Sequence, residues 1–164
     1  MLLCLKGRYA IPIIDCHNKV VGFTARRLND NMTIKWMHFP KGLERENILF
    51  GLNLAQEYIS KTQMAFIVEG PHDVMRMHEN GYPNTVGIFG TSISINQIKL
   101  LIQFGAKQIF IALDPDESGI ESSNQIYNKL LPYFTIKNLT SLLTKEPGDM
   151  TKIEMDTLWQ TIQK

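Results

Sequence analysis

The sequence of 164 residues has only two cysteines and no long apolar segment. Cys4 and Cys16 lack the spacing of metal ligands, which argues against a disulfide framework and against a cysteine-based zinc site. No apolar run approaches the roughly 20 residues that a membrane-spanning helix needs, and the apolar stretch at the start is too short for a secretory signal. We therefore expect a cytoplasmic protein with reduced thiols and no membrane partner.

The composition is that of an ordinary globular protein, with 44% hydrophobic and 20% charged residues, which excludes disorder, collagen-like repeats and coiled coil. The net charge of +1 is unevenly distributed. Residues 1–62 carry nine Lys or Arg against five Asp or Glu, whereas residues 63–164 carry eight against eleven. A basic front and an acidic back suit a protein that holds a polyanion with one part and metal ions with the other, although on charge alone chance asymmetry is the preferred interpretation.

The first part of the chain is rich in β-forming residues. Residues 9–15 and 20–25 are two such runs separated by a turn, which predicts a hairpin. A third run covers residues 32–37 and is followed by a loop at 38–42. We expect a small, basic, β-rich lobe over residues 1–62.

The remainder alternates between strand and helix patterns. A helix at 52–59 precedes predicted strands at 65–68, 85–89 and 108–113, which are followed by predicted helices at 72–79, 95–104 and 120–131. Three successive strand-helix units predict an α/β fold, a parallel sheet flanked by helices. Residues 134–139 predict a fourth strand and residues 151–162 a last helix. We expect an α/β domain over 63–150, on which a C-terminal helix within 151–164 packs.

Acidic residues follow two of the predicted strands. Glu69 ends the first strand, Asp114 ends the third, and Asp116 lies two residues further on. The carboxyl ends of parallel strands meet at one edge of a sheet, so these carboxylates face one crevice. Crowded carboxylates repel each other unless a hard cation neutralises them, and oxygen ligands alone favour Mg²⁺ or Mn²⁺ over zinc. Such a site points to phosphoryl transfer.

A purely structural interpretation is also open for the segment 114–119. It is an ordinary helix-capping sequence, in which Asp116 or Ser118 caps the next helix. Acids that end two separate apolar strands are harder to explain in this way, because a charge beside a sheet end costs free energy unless it is paired or metal-bound.

Three segments, in this order and spacing, resemble the Toprim fold of bacterial and phage primases, topoisomerases and several small nucleases. They are Glu69-Gly70-Pro71-His72-Asp73-Val74, Phe89-Gly90-Thr91-Ser92 and Asp114-Pro115-Asp116-Glu117-Ser118-Gly119. The resemblance implies that Glu69, Asp114 and Asp116 hold catalytic metal ions. It also implies that Asp73 and Asp149 join the metal cluster, although the order Glu146-Pro147-Gly148-Asp149 departs from the family pattern, as does Pro115.

The preceding lobe resembles the segment ahead of the Toprim fold in DnaG-type primases, which topoisomerases and small Toprim nucleases lack. The matching stretches are residues 8–15, 20–26, 39–42 and 49–52. This resemblance implies that Arg26, Lys35 and Lys41 face template or nucleotide phosphates, with Arg27 as the alternative match to Arg26.

Two further features of the sequence have a functional and a structural interpretation each. Gly90 and Thr91 lie before a helix, where backbone N–H groups receive a phosphate or the segment simply caps the helix. Trp36 could stack on a base, although a half-buried strand tryptophan is the commoner case.

The resemblance implies RNA primer synthesis from ribonucleoside triphosphates on a single-stranded DNA template during DNA replication. A replicative helicase and a separate zinc-binding module are the partners that it suggests. Two alternatives stay open. A small Toprim nuclease would use the same acids to activate water, and a non-catalytic module would only bind nucleic acid or a replisome partner.

Overall fold

A computed structural model describes residues 6–28 and 33–162 and contains two β-sheets. The N-terminal sheet is antiparallel, in the order β1-β2-β3, with β1 at Arg8–Ile14, β2 at Val20–Arg27 and β3 at Trp36–Phe39. The predicted hairpin is confirmed. Its turn is stabilised by Asp15, whose carboxylate accepts hydrogen bonds from the backbone N–H groups of His17 and Lys19, both at 2.9 Å.

The third strand lies further along the chain than predicted. The run predicted at residues 32–37 overlaps β3 only at Trp36 and Met37, and its first residue, Met32, falls outside the described residues. Strand β3 begins where Trp36 pairs with Arg26 and continues until Phe39 pairs with Phe23. His38 and Phe39, which were predicted as loop, are therefore strand residues.

The second sheet is parallel and has the strand order β5-β4-β6-β7. Its strands are β4 at Met64–Val68, β5 at Thr85–Gly87, β6 at Gln108–Ile111 and β7 at Thr135–Asn138. Helices cover it: α1 at Leu52–Thr62, α2 at Pro71–Glu79, α3 at Ile95–Gln103, α4 at Glu117–Leu130 and α5 at Lys152–Ile162. This arrangement is the expected α/β fold, a parallel sheet flanked by helices and preceded by a small β-rich lobe. Within the described ranges, no helix is long and apolar enough to cross a membrane.

Apolar side chains are buried on both faces of the parallel sheet, as expected for strands that helices cover on both sides. One cluster centres on Ile67, Ile109 and Ile111, and the other on Phe66 and Phe110. Helix α5 packs on the second face through Trp159, whose ring centroid lies 5.0 Å from that of Phe110. Cys16 is a free thiol in this structure, and Cys4 lies outside the described residues.

Two strands end earlier than predicted. Strand β5 was expected to reach Phe89 but ends at Gly87, and Phe89 itself has φ of 60°, which no strand residue adopts. Strand β6 was expected to reach Leu113 but ends at Ile111, because the Leu113 N–H donates to the Thr140 hydroxyl at 3.1 Å. The loop after β6 carries Asp114 and Asp116, and the loop after β5 carries Gly90 and Thr91.

Candidate metal and nucleotide site

A cavity of about 300 Å³ lies at the carboxyl ends of the parallel strands and is also bordered by the N-terminal sheet. We call it the acidic cavity. The N-terminal sheet and the segment that joins β2 to β3 contribute Arg26, Lys35, Trp36 and His38. The α/β part contributes Glu69, Gly70, Pro71, His72, Asp73, Phe89, Gly90, Asp114 and Glu146. Carboxylates and cations therefore line the same cavity from two different sheets.

Glu69 and Asp114 lie side by side, as predicted from their positions after neighbouring strands. Strand β4 pairs with β6, and the Asp114 N–H donates to Glu69 Oε1 at 3.3 Å. Burial raises the pKa of Glu69, and the nearby Asp73 and Asp116 raise it further. The strand pairing thus brings together two acids that lie 45 positions apart in the sequence.

Asp114 is the most perturbed acid of the cavity. Burial raises its pKa to about 7, with repulsion from Glu69, Asp73, Glu146 and Asp116 adding to the effect. Its Oδ1 atom is buried and has no hydrogen-bond partner. A buried carboxylate oxygen without a donor is costly, and a cation would satisfy it.

The residues of the acidic cavity fit a hard divalent cation. The acidic side chains of the cavity offer carboxylate oxygens, and the unpartnered Asp114 Oδ1 supplies a ligand position. Among residues 6–28 and 33–162, no three acidic, histidine or cysteine side chains converge closely enough to enclose a metal ion by themselves. Mg²⁺ ordinarily keeps several waters and adds substrate phosphates to one or two carboxylates, so an open arrangement of this kind suits it.

Asp73 is held by backbone groups on both of its oxygens. Oδ2 accepts from the Gly70 N–H at 2.9 Å and Oδ1 accepts from the Gly148 N–H at 3.1 Å, while only 7% of the residue is exposed. The Gly148 carbonyl in turn accepts from Arg76 Nε at 3.2 Å. Helix α2 therefore binds both the N–H and the carbonyl of Gly148. These two hydrogen bonds fix the segment that carries Glu146.

Asp116 caps helix α4. Its Oδ1 accepts from the Gly119 N–H at 2.7 Å, which confirms the capping interpretation for one of its oxygens. The side chain is exposed, yet its charge still acts on both Glu69 and Asp114. Gly119 is required at this junction, because a Cβ atom there would lie 2.0 Å from the Asp114 carbonyl oxygen.

Of the other predicted site residues, some line the cavity and some do not. Arg26, Lys35 and Gly90 line it. Lys41, Thr91 and Asp149 are exposed and are not among the described residues that line it. Their predicted roles remain predictions.

Sequence reasoning passed over two side chains that the structure places in the cavity, Glu146 and His38. Glu146 raises the pKa of Glu69, Asp73 and Asp114 by repulsion. The sequence signal that could have identified Glu146 as a site residue was its position directly before Pro147. His38 was missed because the predicted strand ended at residue 37, two residues before the end of β3. Its ring packs edge-on against Phe89, with centroids 5.9 Å apart.

Residues 63–139 match the sequence model of the Toprim domain family, so the fold and the acid-lined cavity define a Toprim protein. The DNA primase of Aquifex aeolicus is 36% identical over 114 residues, which are 68% of this chain and 23% of that protein. Within the Toprim proteins, the chain belongs with the catalytic cores of DnaG-type DNA primases.

Solved structures agree with this assignment. The crystal structure of the Aquifex aeolicus primase, with its zinc-binding and RNA polymerase domains, superimposes with a TM-score of 0.82 at 29% identity over 94% of this chain and 40% of that chain. The RNA polymerase domain of Mycobacterium tuberculosis primase, in complex with double-stranded DNA, gives a TM-score of 0.76 at 26% identity over 92% of this chain and 52% of that chain. The chain spans about a fifth to a quarter of the length of the curated primases that it matches.

Proposed function

We propose that this chain is the catalytic core of a DNA primase, which joins ribonucleoside triphosphates into a short RNA on a single-stranded DNA template during replication. The observation that carries the proposal is the composition of the acidic cavity. A half-buried acid with an unpartnered oxygen, Asp114, shares this space with Arg26 and Lys35 of the preceding lobe. Carboxylates for a metal and cations for phosphates are what nucleotidyl transfer requires.

The residues have distinct parts in this reaction. Glu69 and Asp114 would hold Mg²⁺ or Mn²⁺, together with Glu146 and the oxygen of Asp116 that does not cap α4. When bound, the metal supplies Lewis-acid activation of the α-phosphate and lowers the pKa of the attacking 3′-hydroxyl. Arg26 and Lys35 neutralise phosphate charge, and Gly90 lets the backbone approach the phosphates closely.

Residues outside the lining of the cavity fit a more peripheral role. We assign Lys41 and Thr91, which are both exposed, to the path of the template strand. Asp149 would stay outside the metal site, because Glu146 takes the position in the cavity. The basic lobe over 1–62 and the Toprim domain over 63–150 act as one unit, since the cavity is lined by both.

A gel assay of primer synthesis tests the proposal. Purified protein is incubated with single-stranded DNA, labelled ribonucleoside triphosphates and Mg²⁺ or Mn²⁺, and labelled DNA is run in parallel. We expect short RNA products from the wild type and none from Asp114→Asn or Glu69→Gln. Glu121→Gln, which changes an exposed acid on α4, is the matched control and should retain full activity.

The outcomes separate the candidate functions. Metal-dependent loss of the labelled DNA without RNA products would reject the primase function and indicate a Toprim nuclease. Binding of DNA that Asp114→Asn leaves intact, without either product, would indicate a non-catalytic module. Products that persist in Asp114→Asn would contradict the role of the acids.

The partners of the relatives suggest partners for this chain. The Aquifex aeolicus structure includes a zinc-binding domain beside the RNA polymerase domain. We propose that a zinc-binding module and a replicative helicase work with this core in the cytoplasm. Adding either component to the gel assay should increase primer yield if the proposal is correct.

A further inference from the structure

One row of side chains crosses all three strands of the N-terminal sheet. Tyr9 on β1 pairs with Arg26 on β2, and Arg26 pairs with Trp36 on β3. Paired residues of an antiparallel sheet project from the same face, so the three side chains are neighbours. The Arg26 guanidinium lies 5.6 Å from the centroid of the Trp36 ring, and the Tyr9 ring meets that indole nearly edge-on with centroids 6.4 Å apart.

These contacts hold the indole in place without burying it. Trp36 keeps an intermediate exposure and lines the acidic cavity, as does Arg26. Among the described residues, no carboxylate forms an ion pair with Arg26, so its charge is free to meet a ligand. The row therefore presents an aromatic surface and a positive charge to the cavity at the same time.

Packing does not account for an indole in this position. Trp159, the other tryptophan, lies against Phe66, Tyr82 and Phe110 in the core, with ring centroids 5.4, 6.4 and 5.0 Å away. Trp36 has one aromatic neighbour, Tyr9, among the described residues. A large aromatic side chain that is fixed beside a cation and left partly open is typical of a surface on which a flat ring stacks.

We propose that Trp36 stacks on the base of a nucleoside triphosphate whose phosphates lie toward the acids of the cavity. The inference rests on the proposed function and adds to it the group that holds the base. The size of the cavity, about 300 Å³, suits one nucleotide. Base stacking on an aromatic ring tolerates every base, as a polymerase that copies any template requires.

Tryptophan fluorescence in the presence of Mg²⁺ tests the assignment. Trp36 and Trp159 are the only tryptophans, and Trp159 is remote from the cavity lining, so Trp36→Leu removes the reporter and the stacking surface together. We expect ATP and UTP to quench the wild-type signal, and inorganic tripolyphosphate, which has no base, to leave it unchanged. The matched control is Phe23→Leu, because Phe23 is an exposed aromatic on the opposite face of β2.

Affinities are then measured by calorimetry, which needs no tryptophan. Trp36→Leu should weaken ATP binding by about 5- to 150-fold, the range observed when one stacked aromatic is removed. It should leave the affinity for tripolyphosphate within about twofold of the wild type, because the phosphate contacts remain. Trp36→Phe should recover part of the lost ATP affinity, and Phe23→Leu should behave as the wild type.

Several results would overturn the proposal. These are unchanged ATP affinity in Trp36→Leu, equal losses of ATP and tripolyphosphate affinity, quenching by oligothymidylate but not by nucleotides, or no nucleotide binding by the wild type. The proposed function fails separately. If ATP quenches the fluorescence of a protein that makes no primers, the stacking site is supported and the polymerase function is rejected. If the protein makes primers but Trp36→Leu leaves the ATP affinity unchanged, the polymerase function is supported and the stacking site is rejected.

Discussion

Asp114 destabilises the metal-free protein at the same time as it prepares a metal site. Its pKa of about 7 means that the folded state disfavours the charged form that prevails above neutral pH. We expect Asp114→Asn to raise the free energy of unfolding at pH 8 by about 1 kcal/mol without metal, a value that discounts the shift for the solvent that reaches this half-buried group. Thermal unfolding in EDTA measures it.

The same substitution should remove the effect of added metal. Millimolar Mn²⁺ should raise the melting temperature of the wild type, because binding to the folded state alone stabilises it, and Asp114→Asn should lose most of that rise. Asp149→Asn changes the same kind of group outside the cavity lining and should behave as the wild type in both measurements. Lower stability of Asp114→Asn in EDTA would show that the carboxylate is satisfied without metal.

His78 makes stability depend on pH in the acidic range. Burial lowers the pKa of this histidine, and the neutral ring donates from Nε2 to the Thr85 carbonyl at 2.9 Å. Because the pKa is lower in the folded state than in the unfolded chain, this contribution is complete above the unfolded value of about 6.5 and is lost as the pH falls below it. We expect the free energy of unfolding to fall between pH 7.5 and pH 5.5 as this contribution is lost.

His78→Gln separates this histidine from the other titrating groups. Glutamine can keep a donor for the Thr85 carbonyl but does not titrate, so the variant should lose less stability than the wild type over the same pH interval. The measurement is the difference between the two pH dependences of chemical unfolding in EDTA. Parallel curves for the two proteins would contradict the prediction.

At the scale of elements, the junction between α2 and the segment 146–149 fixes one wall of the acidic cavity. Gly148 fits there because it has no side chain: a Cβ atom would lie 2.3 Å from His72 Nδ1 and 2.7 Å from Asp73 Oδ1. We expect Gly148→Ala to lower the free energy of unfolding by about 1–3 kcal/mol, the usual cost of overpacking. It should also weaken Mn²⁺ binding, because Glu146 lies two residues away on the displaced segment.

Gly70→Ala is the control for this junction. It adds the same methyl group on the other side of Asp73, where the nearest atom is the Asp73 Oδ2 at 3.4 Å. Chemical unfolding and Mn²⁺ titration of both variants should show the larger losses in Gly148→Ala. Equal losses of stability and of Mn²⁺ affinity in the two variants would mean that the hydrogen bonds to Gly148 do not position Glu146.

Much of the α/β part was predictable because its signals are local and repeated. Each apolar strand is followed by a turn and an amphipathic helix, and α3 even begins with a complete capping box at Ser94 and Gln97. The end of β5 was not predictable, because the positive φ of Phe89 has no sequence signal. The start of β3 was missed for a related reason, since pairing with β2 decides it and the residue pattern does not.

The candidate site was predictable only in part. Positions that strand topology determines were predicted, whereas those that local hydrogen bonding and turn geometry determine were not. Glu69 and Asp114 follow neighbouring parallel strands, so topology alone brings them together. Asp73 lies in the right place, yet the structure turns its oxygens toward backbone N–H groups, which residue spacing does not reveal. Glu146 was missed in favour of Asp149, because the short 3-10 turn at Pro147–Asp149 decides which acid reaches the cavity.

At the scale of the whole molecule, the uneven charge of the sequence places basic residues on one side of the cavity and acidic residues on the other. The basic part supplies Arg26 and Lys35, and the acidic part supplies Glu69, Asp114 and Glu146. Charge imbalance along the chain is weak evidence by itself, but here the fold places the opposite charges at one ligand-sized cavity. A phosphate chain bridged to the acids by metal would be held by both parts of the molecule.

This arrangement predicts how salt should affect the binding of single-stranded DNA. Each cation that contacts a phosphate releases counterions, so the slope of log affinity against log salt should decrease in magnitude by about 0.7 for each contact removed. We expect this change for Lys35→Gln and Arg26→Gln with oligothymidylate at constant Mg²⁺. Lys107→Gln is the control, because Lys107 precedes β6 and lies at the opposite end of the sheet from the cavity.

Lys41→Gln decides how far the strand extends beyond the cavity. If the template passes over the exposed loop after β3, this variant should reduce the slope as much as Lys35→Gln does. If its slope equals that of Lys107→Gln, the binding path ends at the cavity and the predicted role of Lys41 is wrong. Equal reductions in all four variants, Lys107→Gln included, would show that the DNA contacts the protein without a defined path, because a specific path cannot include both ends of the sheet.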